Sequence, residues 1–496
     1  MKKNKIFILA LPFILLLSCN GKKEDPVQGK FVRYTTDLQI SSELLGTPVK
    51  YSILLPKDYL ENPQKRYPVV YLLHGLGDDH KSWNDKWLNV AAQIENLENN
   101  KGLQPMIYIM PQGFRSYYVN RYDGKFPYMD MFTKEFVPRM DSLYRTVADR
   151  EHRAVVGYSM GGFGAMILAA KHPEVFSVSV PLSMSFRTDE QYMTESASGW
   201  DNQWGAVFGG KGLSGTARLT DYYKQHCPYY MFTEQTVQQY AGVKYFYDCG
   251  DDEEQLLVAN DNLHVQLRNI NFPHEYRVRN GAHTSGYWSS AMTEALPFIV
   301  SCFDGVPYRS EEVAVLPDTL NMTARDTLLS GIASTVFLPD GYYASSAEYP
   351  AVFYIGDNTV SSDEVARALQ SKTPFILITA NSAKEEWISA ASGTYRIDTS
   401  KIVALVQGVN GKILRANSLF LLDAITDTTL ITPTNYYYIT ISDDGTNYKI
   451  ANALYRICHA QNIPFEYRVY NGTSSKNSLL YGLLQMKSTL NKNLKL

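Results

Sequence analysis

Two β-branched residues, Val155 and Val156, run into Gly157-Tyr158-Ser159-Met160-Gly161-Gly162, and an apolar stretch from Phe163 to Ala170 follows. No other stretch limits the possible folds as much. The valines end a strand, the apolar run is a helix, and a Gly-x-Ser-x-Gly turn joins them. A turn this tight leaves no space for bulk beside the serine, hence Gly157 and Gly161. It lifts the Ser159 hydroxyl above the sheet. It also sets the Met160 N–H at a helix N-terminus, where an oxyanion can be held. Gly-x-Ser-x-Gly arises easily by chance in a chain with 32 glycines. The strand before it and the helix after it give this one its meaning.

The flanking sequence supplies a scaffold for that turn. Thr47 to Leu55 alternates loosely as a strand, and Tyr67 to Leu73 is a continuous apolar run, the pattern of a strand buried on both faces of a parallel sheet. That run leads into His74-Gly75-Leu76-Gly77. There the Leu76 N–H is placed to be a second oxyanion donor, and Gly75 lets the backbone approach a substrate. A helix is predicted over Trp83–Leu97, a strand over Met106–Met110, and a helix over Phe132–Tyr144 with Pro138 as a point of kinking or breakage. Phe176–Leu182 and Val243–Cys249 are further strands. The second ends in Gly250-Asp251-Asp252-Glu253-Glu254, and a helix, Leu256–Asn269, follows. Glu275–Arg279 is the last strand, with the loop Asn280-Gly281-Ala282-His283 after it and a closing helix opened by Tyr287-Trp288. Such alternation predicts a doubly wound, mostly parallel sheet with its site at the carboxyl ends of the strands.

A serine, an acidic cluster and a histidine therefore each follow a strand, in the order that α/β-hydrolases use. Ser159 is a weak nucleophile unaided. His283 would take its proton and pass it to a leaving alcohol, while an acid fixes the imidazole tautomer. Of the nine histidines, His264 and His274 lie in or just after a helix, and His74 is placed to support the oxyanion loop. His80, His152, His172, His226 and His459 lack a strand-then-loop setting. From Phe186 to Thr233 the apolar periodicity fades while aromatics such as Trp200, Trp204 and Tyr222 accumulate. An insertion there builds a lid or pocket wall, and its aromatics suit a sugar or an aromatic acyl group, although packing accounts for most of them.

The N-terminus reads as an export signal. Lys2, Lys3 and Lys5 precede an apolar run, Ile6–Leu17, too short to span a membrane well. Leu16-Leu17-Ser18-Cys19 resembles a bacterial lipobox, which predicts cleavage before Cys19 and lipid attachment to it, with residues 19–30 as a tether. The expected location is the outer membrane, facing the periplasm or the cell surface. Loss of residues 1–18 removes three lysines and no acids, moving the net charge from −3 to −6. With no basic run, nucleic acid is not an expected partner. Cys227, Cys249, Cys302 and Cys458 show no metal spacing and are expected as buried free thiols. No metal or cofactor is implied.

The run Asp149 to Ala165 resembles an esterase family that includes esterase D, carbohydrate esterase family 1 (feruloyl and acetylxylan esterases), enterochelin-type esterases and mycolyltransferases. The His-Gly loop with Trp83, the Cys249-Gly250 acid loop, and His283 with Tyr287-Trp288 carry the resemblance across residues 31–303. It implies an α/β-hydrolase fold and ester hydrolysis by Ser159 and His283. The family's Cys-Gly-x-x-Asp would fall on Glu253, but the acidic run carries an apparent extra residue. Asp252 is the first choice of acid and Glu253 the second. Asp251 ranks behind both, and Glu254 is expected to cap the helix or face solvent. Gly75, Trp83, Trp204 and Trp288 are the candidate substrate contacts. The resemblance points to feruloyl or acetyl esters on xylan. Siderophore-ester hydrolysis or acyl transfer are the enzymatic alternatives, and an idle surface glycan-binding lipoprotein is the non-enzymatic one.

Past a linker at 304–318, residues 319–496 echo the first domain. Ile463 to Gly472 matches Phe272 to Gly281, and Tyr349 to Asp357 echoes the strand opened by Tyr67. The position of Ser159 falls near Val409 and that of His283 on Ser474, so no nucleophile or base remains. A structural prop for the first domain, or a module that holds a polymer, are the two expected roles.

Overall fold

The computed structural model describes residues 33–308, 314–384, 386–408, 416–423, 436–443, 447–472 and 475–494. The signal segment with Cys19, and the positions Val409 and Ser474, lie outside these residues.

The strands of the first half are β1 (Tyr34–Ile40), β2 (Val49–Leu54), β3 (Val69–Leu73), β4 (Ile107–Pro111), β5 (Arg153–Tyr158), β6 (Val178–Leu182), β7 (Lys244–Gly250) and β8 (Glu275–Arg279). Those of the second half are β9 (Met322–Leu329), β10 (Ile332–Pro339), β11 (Tyr349–Ile355), β12 (Ile376–Ala380), β13 (Ile397–Gln407), β14 (Ser418–Leu422), β15 (Tyr436–Ser442) and β16 (Phe465–Tyr470). All join one sheet, in the order β1-β2-β4-β3-β5-β6-β7-β8-β16-β15-β14-β13-β11-β12-β10-β9. Read inward from either edge, the sequence is the same: first, second, fourth, third, fifth, sixth, seventh, eighth strand of that half. The outer strands are antiparallel and the inner ones parallel in both halves. The halves meet where β8 and β16 pair antiparallel, with Val278 opposite Val469.

Every residue of β3 and β5 is buried, because helices cover both faces, as a parallel sheet requires. On one face lies α1 (Met160–Lys171), packed with Val69, Tyr71 and Val155. The helix α3 (Ser285–Phe303) lies on the other, with Val70, Leu72 and Val156. Between them in sequence, α2 (Glu254–Asn269) follows β7. In the second half α4 (Tyr448–Ala460) follows β15. These are the layers of an α/β-hydrolase fold.

Two expected helices differ in detail. The run over Trp83–Leu97 is divided into a wide turn, Ser82–Lys86, and a helix, Val90–Lys101, with Asn89 between them at φ 49°. Asparagine tolerates that left-handed backbone, so the chain changes direction there. Pro138 breaks nothing. The chain is helical from Tyr128 to Leu143, and Pro138 lies in the first turn of the segment Val137–Leu143, just after a widened turn at Phe132–Phe136. That widened turn, closed by Val137 N on the Phe132 carbonyl, accommodates the proline ring and its missing N–H without ending the helix.

Candidate active site

Ser159 sits between β5 and α1 at φ +56°, a strained value for a residue with a side chain. Close packing holds it there. A Cβ on Gly157 would lie 2.1 Å from the Gly161 carbonyl oxygen, and one on Gly161 would lie 2.2 Å from that of Leu73. The elbow is thus pressed against the end of β3, which brings the His74–Gly77 loop beside the serine.

Both proposed oxyanion donors are aimed by the carbonyl of their own peptide plane, since C=O and N–H point in opposite directions across a trans peptide. The Ser159 carbonyl accepts from Phe163 N at 3.1 Å and Ser185 N at 3.0 Å. Met160 N–H therefore points back out of the helix. The Gly75 carbonyl accepts from His74 Nδ1 at 2.8 Å and Asp78 N at 3.2 Å, which turns Leu76 N–H the other way. His74 Nε2 accepts from Gly113 N at 2.8 Å, which fixes the tautomer, and burial holds the ring below the usual histidine range. His74 supports the loop, as its position in the sequence suggests. Gly75 is small for a different reason than expected: a Cβ there would lie 2.7 Å from the Tyr158 ring.

His283, in the loop between β8 and α3, places Nε2 2.9 Å from Ser159 Oγ and Nδ1 2.7 Å from Glu253 Oε2. Glu253, rather than Asp252, is the acid that faces the imidazole. The turn after β7 sends Asp252 outward, where it is exposed, while its backbone N–H bonds the Gly281 carbonyl at 3.0 Å. Glu253 points inward with its side chain fully buried. Its Oε1 accepts from Ser183 Oγ at 2.5 Å and Gly250 N at 2.8 Å. Asp251 is buried facing the second half, and Glu254 is exposed at the start of α2.

The three tryptophans chosen as substrate contacts belong to the packing. Trp83 is fully buried, 5.1 Å from the Tyr158 ring. Trp204 is buried behind Tyr117, at 4.7 Å between centroids. Trp288 stacks on Tyr158 at 4.3 Å, meets the His283 ring edge-on at 4.9 Å and donates from Nε1 to Ser183 Oγ at 2.8 Å. It shapes the surroundings of the histidine. Large aromatics gain most by leaving water, which is why all three are in the core.

A cavity of about 610 Å³ opens beside Leu76, with Phe114, Tyr117, Phe126, Gln203 and Val207 among its walls. The cavity reaches the oxyanion loop at Leu76 and Gly77; its wall residue Tyr117 has Oη 3.5 Å from Ser185 Oγ, and Ser185 N bonds the Ser159 carbonyl. Sequence reasoning overlooked Ser183, Ser185 and Phe114. The only signal for the serines was their place just after β6. Cys227, Cys249, Cys302 and Cys458 are free thiols. The site thus holds an alcohol nucleophile in line with a base and a buried carboxylate, next to two aimed N–H groups and an aromatic cavity. It can carry out acyl transfer through a covalent ester.

Residues 42–299 match the family described as "Putative esterase". This is more than half of the chain, and the chain belongs to that esterase family. An endo-1,4-beta-xylanase/feruloyl esterase of Xylanibacter ruminicola is 30% identical over 141 residues, 27% of this chain and 19% of that protein. Esterase Rv1288 of Mycobacterium tuberculosis is 28% identical over 263 residues, 49% of this chain and 54% of that protein. A solved ferulic acid esterase is 28% identical with a TM-score of 0.46, covering 54% of this chain and 98% of that one. The chain therefore spans less than two thirds of either curated relative.

Proposed function

We propose that this protein is a serine esterase that hydrolyses feruloyl-type esters on xylan. The observation that carries the reading is the hydrogen-bonded line Ser159–His283–Glu253, at 2.9 and 2.7 Å. In this reading Ser159 Oγ attacks the ester carbonyl as His283 Nε2 takes its proton. Met160 and Leu76 N–H hold the oxyanion, and the imidazolium, stabilised by buried Glu253, protonates the departing sugar oxygen so that it leaves as a hydroxyl. Water, deprotonated by His283, then releases the acid and restores Ser159. The aromatic walls of the adjoining cavity suit a phenolic acyl group better than acetyl. The Xylanibacter ruminicola relative, whose name joins xylanase with feruloyl esterase, supports the same choice. Lipid attachment at Cys19 and export complete the proposal. Residues 319–496 are read as a second copy of the domain without its catalytic groups.

Release of ferulate and acetate from arabinoxylan and acetylxylan by wild type and Ser159→Ala tests it. Ferulate released by the wild type alone supports the reading. Acetate alone moves the substrate to acetylxylan. No Ser159-dependent release from either polymer or from a small aryl ester removes catalysis from the proposal.

A further inference from the structure

Two arginine–aspartate contacts between the halves follow the same pattern. Arg277, on β8, donates from Nη1 to Asp443 Oδ2 at 2.8 Å, and Asp443 Oδ2 also accepts from Tyr276 N at 3.2 Å. Arg468, on β16, pairs in the same way with Asp251 Oδ2, which also accepts from Tyr467 N at 3.4 Å. Each aspartate turns its other oxygen back into its own half: Asp443 Oδ1 to Gly472 N at 3.2 Å, and Asp251 Oδ1 to Gly281 N at 3.1 Å. The two contacts share this pattern but differ in their surroundings: Asp443 Oδ2 also has Arg268 3.5 Å away, and what lies behind each aspartate differs. Asp251 is two residues from Glu253, and Gly281 is two residues from His283. The Asp251 carboxylate therefore ties the acid loop to the histidine loop, and Arg468 from the second half neutralises it.

We propose that Arg468 is a positioning residue for the active site, holding Glu253 against His283 through Asp251, so that the second half is a working part of the catalytic unit. This rests on the Ser159–His283–Glu253 reading. The Asp251 side chain is only 3% exposed, so without Arg468 a buried carboxylate loses its counter-charge and must reorganise. Reorganisation turns the Gly250–Glu253 loop and loosens Gly281, whose carbonyl packs so tightly on Gly250 that a Cβ there would come within 2.1 Å. Ser183 Oγ and Gly250 N still hold Glu253, so the effect is a misalignment and not the loss of the acid.

The test compares Arg468→Ala, Arg468→Lys and Asp443→Asn in the full chain. Asp443→Asn weakens the matching contact of the same seam on the side away from the serine. Steady-state kinetics on methyl ferulate is one readout. The far-downfield NMR resonance of the His283 Nδ1 proton, shared with Glu253, is the other and needs no turnover. For Arg468→Ala we expect kcat to fall about tenfold or more with KM within about twofold, and the resonance to broaden or vanish. Arg468→Lys recovers most of both, and Asp443→Asn keeps wild-type values. Unchanged kcat and resonance in Arg468→Ala, or equal losses in Asp443→Asn, overturn the proposal. If Arg468→Ala does not fold, Arg468→Gln, which removes the counter-charge and keeps a polar side chain, decides: a displaced resonance supports the brace, and an unaltered one overturns it. A wild type without Ser159-dependent hydrolysis refutes the esterase reading, while the resonance still judges the brace.

Discussion

Asp252 and Glu253 are adjacent, yet only one of them touches the histidine. The structure predicts a clean separation between them. Glu253→Gln should lower kcat by about 10³- to 10⁴-fold with KM little changed, because the tautomer and the imidazolium both lose their partner. Asp252→Asn should stay within about twofold in the same kinetic assay. Ser159 and His283 are legible in the sequence because each is fixed by a strand on one side and a loop or helix on the other. The acid is less legible. Four acids in a row differ only in the direction each faces around a turn, and that direction is set by contacts with Ser183 and the Gly281 loop, far away in sequence. The tryptophans fail for a related reason, since an aromatic rich in apolar surface looks the same in the sequence whether it lines a cavity or fills the core.

Elements carry their own constraints. At the elbow the limiting contact is backbone against backbone, so no rotamer relieves it. Gly157→Ala should destabilise the protein by about 3 kcal/mol, read as a lower denaturation midpoint, and should abolish activity even where the chain still folds. Between α2 and α4, Asp261 is fully buried and accepts from Asn452 Nδ2 and from Tyr467 Oη at 3.1 Å. Burial pushes its carboxyl up from 3.8 to about 6. The folded protein thus keeps a proton that the unfolded chain releases near 3.8. The stability this provides is complete below that pH and is lost as pH rises through about 6. Relative to Asp261→Asn, the wild type should therefore lose stability in guanidinium titrations between about pH 4 and about pH 6.5. Strand positions are largely legible from continuous apolar runs, but β1 and β9 are not. Both are edge strands with mixed burial, and their pattern follows the neighbour they pair with.

At the scale of the whole molecule, the strand order shared by the two halves agrees with the echo of Phe272–Gly281 in Ile463–Gly472, but the manner of docking is not legible in the sequence. An edge strand of a parallel sheet has the same apolar pattern whether solvent, a loop or another sheet lies beside it. Each half carries one arginine and one aspartate of the paired contacts Arg277–Asp443 and Arg468–Asp251, so the first half holds both components of that pattern. Produced alone, residues 31–303 should pair with a second copy through β8, Arg277 of one meeting Asp251 of the other. Light scattering would show a dimer, and Arg277→Ala would shift it toward monomer. In such a dimer every substitution at the interface appears twice, and both active sites change together. The tandem chain escapes that coupling. A change at Arg468 strikes one aspartate and leaves the other untouched, so the grip on the Ser159 loops can be tightened or relaxed by one codon at a time, while the opposite contact keeps the halves joined.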